Sequence, residues 1–148
     1  MNPSLRTFIA FEIPAEIQNT LQTLINKSQL TRINGFRPVK PEMIHLTVKF
    51  LGDTTPQQLE SIQDVLSEIS RTVLPFEIQV KGLGAFPSWD NPRTIWAGLS
   101  DPSALEGLSK RIDDSMRTIG FPVEKRGFSP HLTLARTMEG GDRRIMRK

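Results

Sequence analysis

The sequence contains no cysteine and no tyrosine, and only two of its 148 residues are histidine. Without cysteine the chain has no disulfide, no thiolate nucleophile and no cysteine metal ligand, and we expect a cytoplasmic location. A long apolar run is also lacking, so we expect neither a membrane span nor a secretory signal. Hydrophobic residues make up 37% and charged residues 24%, proportions typical of one globular domain.

Charge is nearly balanced over the whole chain but not locally. The net charge is +3, from 19 basic and 16 acidic side chains. Residues 31–52 contain one acidic side chain, Glu42, and four basic ones: Arg32, Arg37, Lys40 and Lys49. Such a bias attracts anions and suits a phosphate-bearing partner, although a solvated surface is the commoner reason for it. Charge alone does not identify RNA as that partner.

The spacing of apolar and turn residues predicts an α+β chain. The expected order is strand, helix, two strands, helix, two strands, helix, strand. Helices should follow Pro14, Thr55 and Asp101, and Thr55-Pro56-Gln57-Gln58 has the form of a capping box. Glycines 82 and 84 are expected to end the fourth strand, and residues 139–148 to be poorly ordered. The strands are predicted over residues 5–12, 36–39, 45–51, 76–80 and 93–99, and from residue 131.

Both histidines begin the same tripeptide: His45-Leu46-Thr47 returns as His131-Leu132-Thr133. With average residue usage, an accidental match of this kind has odds on the order of one in a hundred. Alternate side chains of a strand share a face, so each histidine should share a face with the threonine two residues later. In the first copy, we expect Leu46, Val48 and Phe50 to face the core.

Two histidines meet the needs of in-line phosphodiester cleavage, which requires a base for the nucleophile and an acid for the leaving oxygen. The unperturbed pKa of an imidazole is about 6.5, so in a pair of histidines one ring can be neutral while the other is charged. The hydroxyls of Thr47 and Thr133 can donate to the non-bridging oxygens. The repeat therefore predicts metal-free chemistry at His45 and His131, without indicating which is the acid.

Each of these residues also has explanations other than phosphodiester chemistry. A single histidine or threonine on a strand is usually structural, and only the repeat favours function. A metal site of the two histidines with Glu42 or Glu124 stays open, although the spacing matches no helical ligand pair and the sequence has no third histidine.

Four other side chains are weaker candidates. Lys49 shares the expected face of His45 and is a candidate phosphate ligand, although a strand lysine is more often solvated. Arg136 has the opposite parity to His131, so a regular strand directs it away unless the strand ends or bulges. Phe86 and Trp89 are candidates for stacking on a base or for packing.

Five stretches together resemble the two-histidine phosphoesterase superfamily, and within it the prokaryotic RNA 2′,3′-cyclic phosphodiesterases, also called 2′-5′ RNA ligase-like proteins. These stretches, in order, are Arg6-Thr7-Phe8-Ile9-Ala10, His45-x-Thr47-x-x-Phe50-Leu51-Gly52, Gly84-Ala85-Phe86-Pro87, Pro92-Arg93-x-x-Trp96-x-Gly98 and Pro130-His131-Leu132-Thr133-Leu134-Ala135-Arg136.

The resemblance implies two pseudo-symmetric lobes of antiparallel sheet backed by helices, with one His-x-Thr strand from each lining a central cleft. It implies that His45 protonates the leaving oxygen, that His131 activates water, and that Thr47, Thr133 and Arg136 hold the phosphate. An RNA terminal 2′,3′-cyclic phosphate would then be opened to a 2′-phosphate without metal or cofactor. The substrates implied are RNA ends or cyclic nucleotides.

Members of this family usually continue for several tens of residues past the second motif. We therefore expect residues 1–148 to form one bilobal domain that lacks the C-terminal strands of the family. The second motif would then lie beside an uncovered sheet edge, which would permit self-association but requires no protein partner. The alternatives to hydrolysis are a non-catalytic module that binds RNA ends, and 2′-5′ RNA ligation as the reverse reaction.

Overall fold

Strands and helices follow one another in the predicted α+β order in the computed structural model, which describes residues 3–29 and 35–138. The expectation for residues 139–148 lies outside these. None of the described helices is long and apolar enough to cross a membrane. The elements are β1 Leu5–Glu12, α1 Ala15–Lys27, β2 Phe36–Pro38, a 3₁₀ turn Pro41–Met43, β3 His45–Thr54, α2 Pro56–Ser70, β4 Gln79–Phe86, β5 Thr94–Ser100, α3 Ser103–Thr118 and β6 Leu132–Thr137.

The chain divides into two compact units. We call Met1–Ala10, Thr47–Ile78 and Asp101–Pro130 the helical unit, and Phe11–Leu46, Gln79–Ser100 and His131–Lys148 the histidine unit. Strand β3 begins in the histidine unit and continues in the helical unit, whereas both histidines belong to the histidine unit.

The core of the helical unit forms where the apolar stripes of α2 and α3 pack against β3. Its buried members are Val48, Ile62, Ile69, Ile112, Met116 and Phe121. The capping box that begins α2 is confirmed: Thr55 Oγ1 accepts from the Gln58 amide at 3.3 Å, and Gln58 Oε1 accepts from the Thr55 amide at 2.8 Å. At the start of α3, hydrogen bonds from the Ser103 hydroxyl and amide lower the pKa of the Asp101 carboxyl.

Strand β6 lies at the centre of the histidine unit. It pairs antiparallel with β5 on one side, and with β2 and the start of β3 on the other; β5 in turn pairs with β4. One face of these strands is apolar, with Phe36, Ile95 and Ala135 buried together, and α1 also lies against β6. The opposite face carries the second histidine motif.

The expectation that the second motif lies beside an uncovered sheet edge is wrong. Arg136 pairs with Arg37 of β2 and also with Thr94 of β5, so β6 has hydrogen-bonded neighbours on both sides. Self-association stays a prediction, but the uncovered edge at β6 that suggested it is not found, because β6 is paired on both sides.

The fourth strand also differs from its prediction. Residues 76–78 precede β4, which instead runs from Gln79 through both glycines to Phe86. Glycines 82 and 84 do not end the strand because a register shift between Val80 and Leu83 absorbs the irregularity while pairing with β5 continues.

Phe50 was expected in the core, but its side chain is 72% exposed and contacts the ring of Phe8 at a centroid distance of 6.1 Å. Val48 is buried in the helical unit and Leu51 packs against the same cluster. The alternation of core-facing and outward-facing side chains along β3 therefore shifts by one residue between Val48 and Leu51. Strand alternation alone could not predict this change.

Replacing Thr55 by Ala should lower the free energy of unfolding by about 1 kcal/mol, because the first turn of α2 loses its side-chain acceptor. Urea denaturation followed by circular dichroism measures the loss. Thr23→Ala is the matched control, since the exposed Thr23 hydroxyl donates to the Asn19 carbonyl within α1 and caps no helix end. Equal effects of the two substitutions would contradict a specific capping role.

Candidate active site

His45 is held by buried neighbours at the first position of β3. The side chains of Ile44 and Leu46 are 0% exposed. The Ile44 amide donates to the Pro41 carbonyl at 3.0 Å, and the Ile44 carbonyl accepts from Gln18 Nε2 of α1 at 3.2 Å. The backbone on both sides of His45 is therefore fixed, and its imidazole lies on the face opposite to the two apolar side chains.

His131 directly precedes β6 and has the same relation to Leu132, which is also 0% exposed. Leu46 and Leu132 are cross-strand partners in an antiparallel pair, so they share the apolar face. Alternation then places both histidines on the other face. Their positions are diagonal to each other across the two strands, a separation of about 7–8 Å in a regular sheet.

The two threonines follow the alternation as predicted from the sequence. Thr133 pairs with Trp96 of β5 and lies on the histidine-bearing face, opposite Leu132. Thr47 alternates with Leu46 along β3, in the part of the strand that belongs to the helical unit. Within the histidine unit, the structure brings His45, His131 and Thr133 onto one face.

A bulge in β6 changes the face of the sheet on which Arg136 lies. Thr133 pairs with Trp96 and Ala135 pairs with Ile95, so two steps on β6 match one step on β5 and Leu134 is the extra residue. The Leu134 carbonyl still accepts a hydrogen bond, from the Val39 amide at 2.8 Å. Because Arg136 pairs with Thr94, two residues from Trp96, it lies on the same face as Thr133.

Two aromatic side chains pack against His131: Phe86, a candidate for stacking or packing in the sequence, and Trp96, which was not predicted as a site residue. The Phe86 ring contacts the imidazole edge-to-face, with centroids 4.9 Å apart and planes at 83°. The centroid of the Trp96 indole lies 6.1 Å from that of the imidazole and 5.1 Å from that of the Phe86 ring. These contacts restrict the orientations open to the imidazole. The signal in the sequence was that Phe86 and Trp96 stand in the family motifs.

Gly84 provides the space that the Trp96 indole occupies. The two residues are cross-strand partners on the histidine-bearing face. A Cβ atom on Gly84 would lie 2.1 Å from Trp96 Cζ2 and 2.5 Å from Trp96 Cε2, so the indole would have to move. Its Nε1 is buried without a hydrogen-bond partner in the described part of the chain, so packing rather than hydrogen bonding holds the ring there.

The structure corrects the expectation for Lys49. This side chain is only 7% exposed, and its ammonium forms an ion pair with Asp113 of α3 and donates to the Pro122 carbonyl at 2.9 Å. Asp113 also accepts from the Glu124 amide at 3.1 Å. Lys49 thus joins β3 to α3 and to the segment after it inside the helical unit, and its ammonium is committed to protein groups.

The described residues contain no group of three or more His, Asp or Glu side chains that could hold a metal ion. Glu124, one of the carboxylates considered as a third ligand, accepts from the Arg126 amide at 3.1 Å.

Comparison with known proteins identifies the family. A family model described as LigT-like phosphoesterase matches residues 11–96. An RNA 2′,3′-cyclic phosphodiesterase of Archaeoglobus fulgidus is 32% identical over 132 residues, which cover 89% of this chain and 72% of that protein. The chain belongs to the LigT-like phosphoesterase family. Another RNA 2′,3′-cyclic phosphodiesterase, from Aquifex aeolicus, is 35% identical over 134 residues, covering 89% of this chain and 70% of that protein.

Solved structures of other proteins have the same fold. A crystal structure of a Thermus thermophilus protein superposes with a TM-score of 0.80 at 28% identity, covering 90% of this chain and 74% of that one. LigT of E. coli in complex with 3′-AMP gives 0.73 at 26% identity, covering 95% and 78%. The predicted family and the α+β fold of antiparallel sheet backed by helices are confirmed.

Replacing Gly84 by Ala should reduce kcat/KM on a 2′,3′-cyclic nucleotide about tenfold, because the displaced indole no longer packs against His131. Steady-state kinetics measure the loss, and circular dichroism checks the fold. Gly107→Ala is the control, since nothing lies within 4 Å of a Cβ there and the exchange within α3 should stabilise the helix. Full activity of Gly84→Ala would show that the indole does not position His131.

Replacing Lys49 by Met should lower the free energy of unfolding by about 3 kcal/mol, because Asp113 is left without its cation. The double variant Lys49→Met with Asp113→Leu should recover much of this loss. Urea denaturation measures both variants, and the KM of the folded protein is measured in parallel. A raised KM with unchanged stability would instead support the original expectation that Lys49 binds substrate.

Proposed function

We propose that this LigT-like phosphoesterase hydrolyses terminal 2′,3′-cyclic phosphates on RNA to 2′-phosphates. The observation that carries the proposal is the Leu46–Leu132 pairing, which directs His45 and His131 to one face of the sheet. The names of its relatives support the same substrate, since several are RNA 2′,3′-cyclic phosphodiesterases.

The two imidazoles perform the acid and base steps. Neutral His131 takes a proton from water as the water oxygen forms a bond to phosphorus. The bond from phosphorus to O3′ breaks, and protonated His45 gives its proton to that oxygen. The product carries a 2′-phosphate and a free 3′-hydroxyl. The assignment of acid and base follows the family resemblance, and the contacts of Phe86 and Trp96 hold the base in place.

Hydroxyl groups stabilise the charge that develops on the phosphate. Thr133 lies on the histidine-bearing face, and Thr47 follows His45 by two residues, so both can donate to non-bridging oxygens. The exposed guanidinium of Arg136 adds positive charge to this face. No step in this scheme draws on a metal ion or on a cofactor. A single bilobal domain with a central cleft, and a cytoplasmic location, are part of the same proposal.

Replacing either His45 or His131 by Ala should lower kcat by a factor of several hundred or more, because the acid or the base is lost. The assay incubates the protein with an RNA oligonucleotide that ends in a 2′,3′-cyclic phosphate, in the presence of a chelator. Mass spectrometry of nuclease-digested product locates the phosphate on O2′ or O3′. Thermal unfolding of both variants controls for loss of fold.

The result distinguishes hydrolysis from the alternatives. Activity retained in both histidine variants would contradict the proposed mechanism. Salt-sensitive RNA binding by the unmodified protein without product would indicate a non-catalytic module that binds RNA ends. Joining of a cyclic-phosphate end to a 5′-hydroxyl end through a 2′-5′ bond would indicate that the reverse reaction is accessible at the same site.

A further inference from the structure

Two successive residues of β3 point towards the helices of the helical unit. Val48 is buried in one cluster with Ile112 and Met116 of α3. Lys49 is also buried, and its ammonium forms an ion pair with Asp113 of the same helix. Successive side chains of a regular strand point to opposite faces, so two inward residues in a row require a local irregularity. We call this irregularity at Val48–Lys49 the β3 bulge.

The side chain that follows the β3 bulge shows that the irregularity is unfavourable by itself. Phe50 is 72% exposed. Without the bulge, alternation would turn Lys49 to the face of Thr47 and would turn Phe50 towards the core. That regular arrangement would solvate an ammonium and bury an aromatic ring, and both changes are favourable. Another interaction must therefore hold the observed arrangement.

The ion pair between Lys49 and Asp113 is that interaction. Besides the carboxylate, the ammonium binds the Pro122 carbonyl at 2.9 Å, and Asp113 accepts from the Glu124 amide at 3.1 Å. The two side chains of the pair are 6% and 17% exposed. Loss of either partner would leave the other charge inside the protein without its counter-ion. The pair therefore fastens β3 to α3 at the bulge.

Thr47 directly precedes the β3 bulge and lies opposite Val48 along the strand. A bulge bends its strand and re-aims the side chains beside it. We propose that the Lys49–Asp113 ion pair is a positioning device for Thr47, because it holds the bulge that sets the direction of the Thr47 hydroxyl. The inference rests on the proposed function, in which this hydroxyl donates to a non-bridging oxygen. Lys49 and Asp113 are then positioning residues that touch no substrate.

The first test removes the negative charge with little change of shape. In Asp113→Asn the Lys49 ammonium should turn outward, and kcat on a 2′,3′-cyclic nucleotide should fall about tenfold because the Thr47 hydroxyl is displaced. KM should not rise, since the ammonium then adds positive charge to the face of Thr47. Asp114→Asn is the matched control on the same helix, because Asp114 pairs at 3.4 Å with Lys110 in an exposed ion pair, and it should leave kcat and KM unchanged.

A double-mutant cycle shows whether the ion pair acts through Thr47. In a Thr47→Ala background, Asp113→Asn should cause no further loss of kcat, since the hydroxyl that it displaces is already absent. A similar loss in both backgrounds would overturn the inference. If Asp113→Asn does not fold, Lys49→Gln makes the same comparison of kcat from the other end of the ion pair.

A labelling measurement tests the β3 bulge without relying on catalysis. The chain has no cysteine, so Phe50→Cys introduces its only thiol, at an exposed position. Addition of Asp113→Asn should slow the reaction of this thiol with a maleimide about tenfold, because a regular strand turns position 50 towards the core. Unfolding would instead speed the reaction. Asp114→Asn should leave the rate unchanged.

The two measurements separate this inference from the proposed function. If the unmodified protein turns over no cyclic phosphate, the proposed function fails, while the labelling rate still decides whether the ion pair holds the β3 bulge. An unchanged labelling rate after Asp113→Asn would contradict the inference, whatever the kinetics.

Discussion

The antiparallel pairing of Leu46 with Leu132 is the constraint on which the candidate active site depends. Both side chains are fully buried, and burying a leucine contributes about 1.5–3 kcal/mol. A register slip of one residue in either strand would expose its leucine and turn its histidine into the apolar layer. The apolar burial that holds the strands together therefore also keeps His45 and His131 on a common face.

The bulge at Leu134 adds a second element to this face. It inserts one residue into β6, and hydrogen bonding continues because the Leu134 carbonyl accepts from Val39, which follows β2. The residues after the bulge change face relative to those before it. Arg136 therefore joins Thr133 on the histidine-bearing face, while Ala135 stays buried with Ile95. A local irregularity of one strand thus determines which charges are near the site.

Much of the fold follows from local sequence signals. The capping box at Thr55, the helical stripes and the order of elements were predictable because each depends on residues only a few positions apart. Strand alternation was less reliable. It placed Phe50 in the core and Lys49 beside His45, whereas Phe50 is exposed and Lys49 is buried against Asp113. The ion pair that holds Lys49 joins residues far apart in the chain, and no local pattern indicates it.

By itself, the sequence determined the family, because two histidines in matching tripeptides and the motifs around them are typical of LigT-like phosphoesterases, and it predicted which residues carry the chemistry. Alternation along each strand also determined that each histidine shares a face with its threonine. Only the tertiary structure decided that the two histidines share a face, that Arg136 joins them and that Lys49 does not. The reason is that register, bulges and buried ion pairs arise from contacts between distant segments.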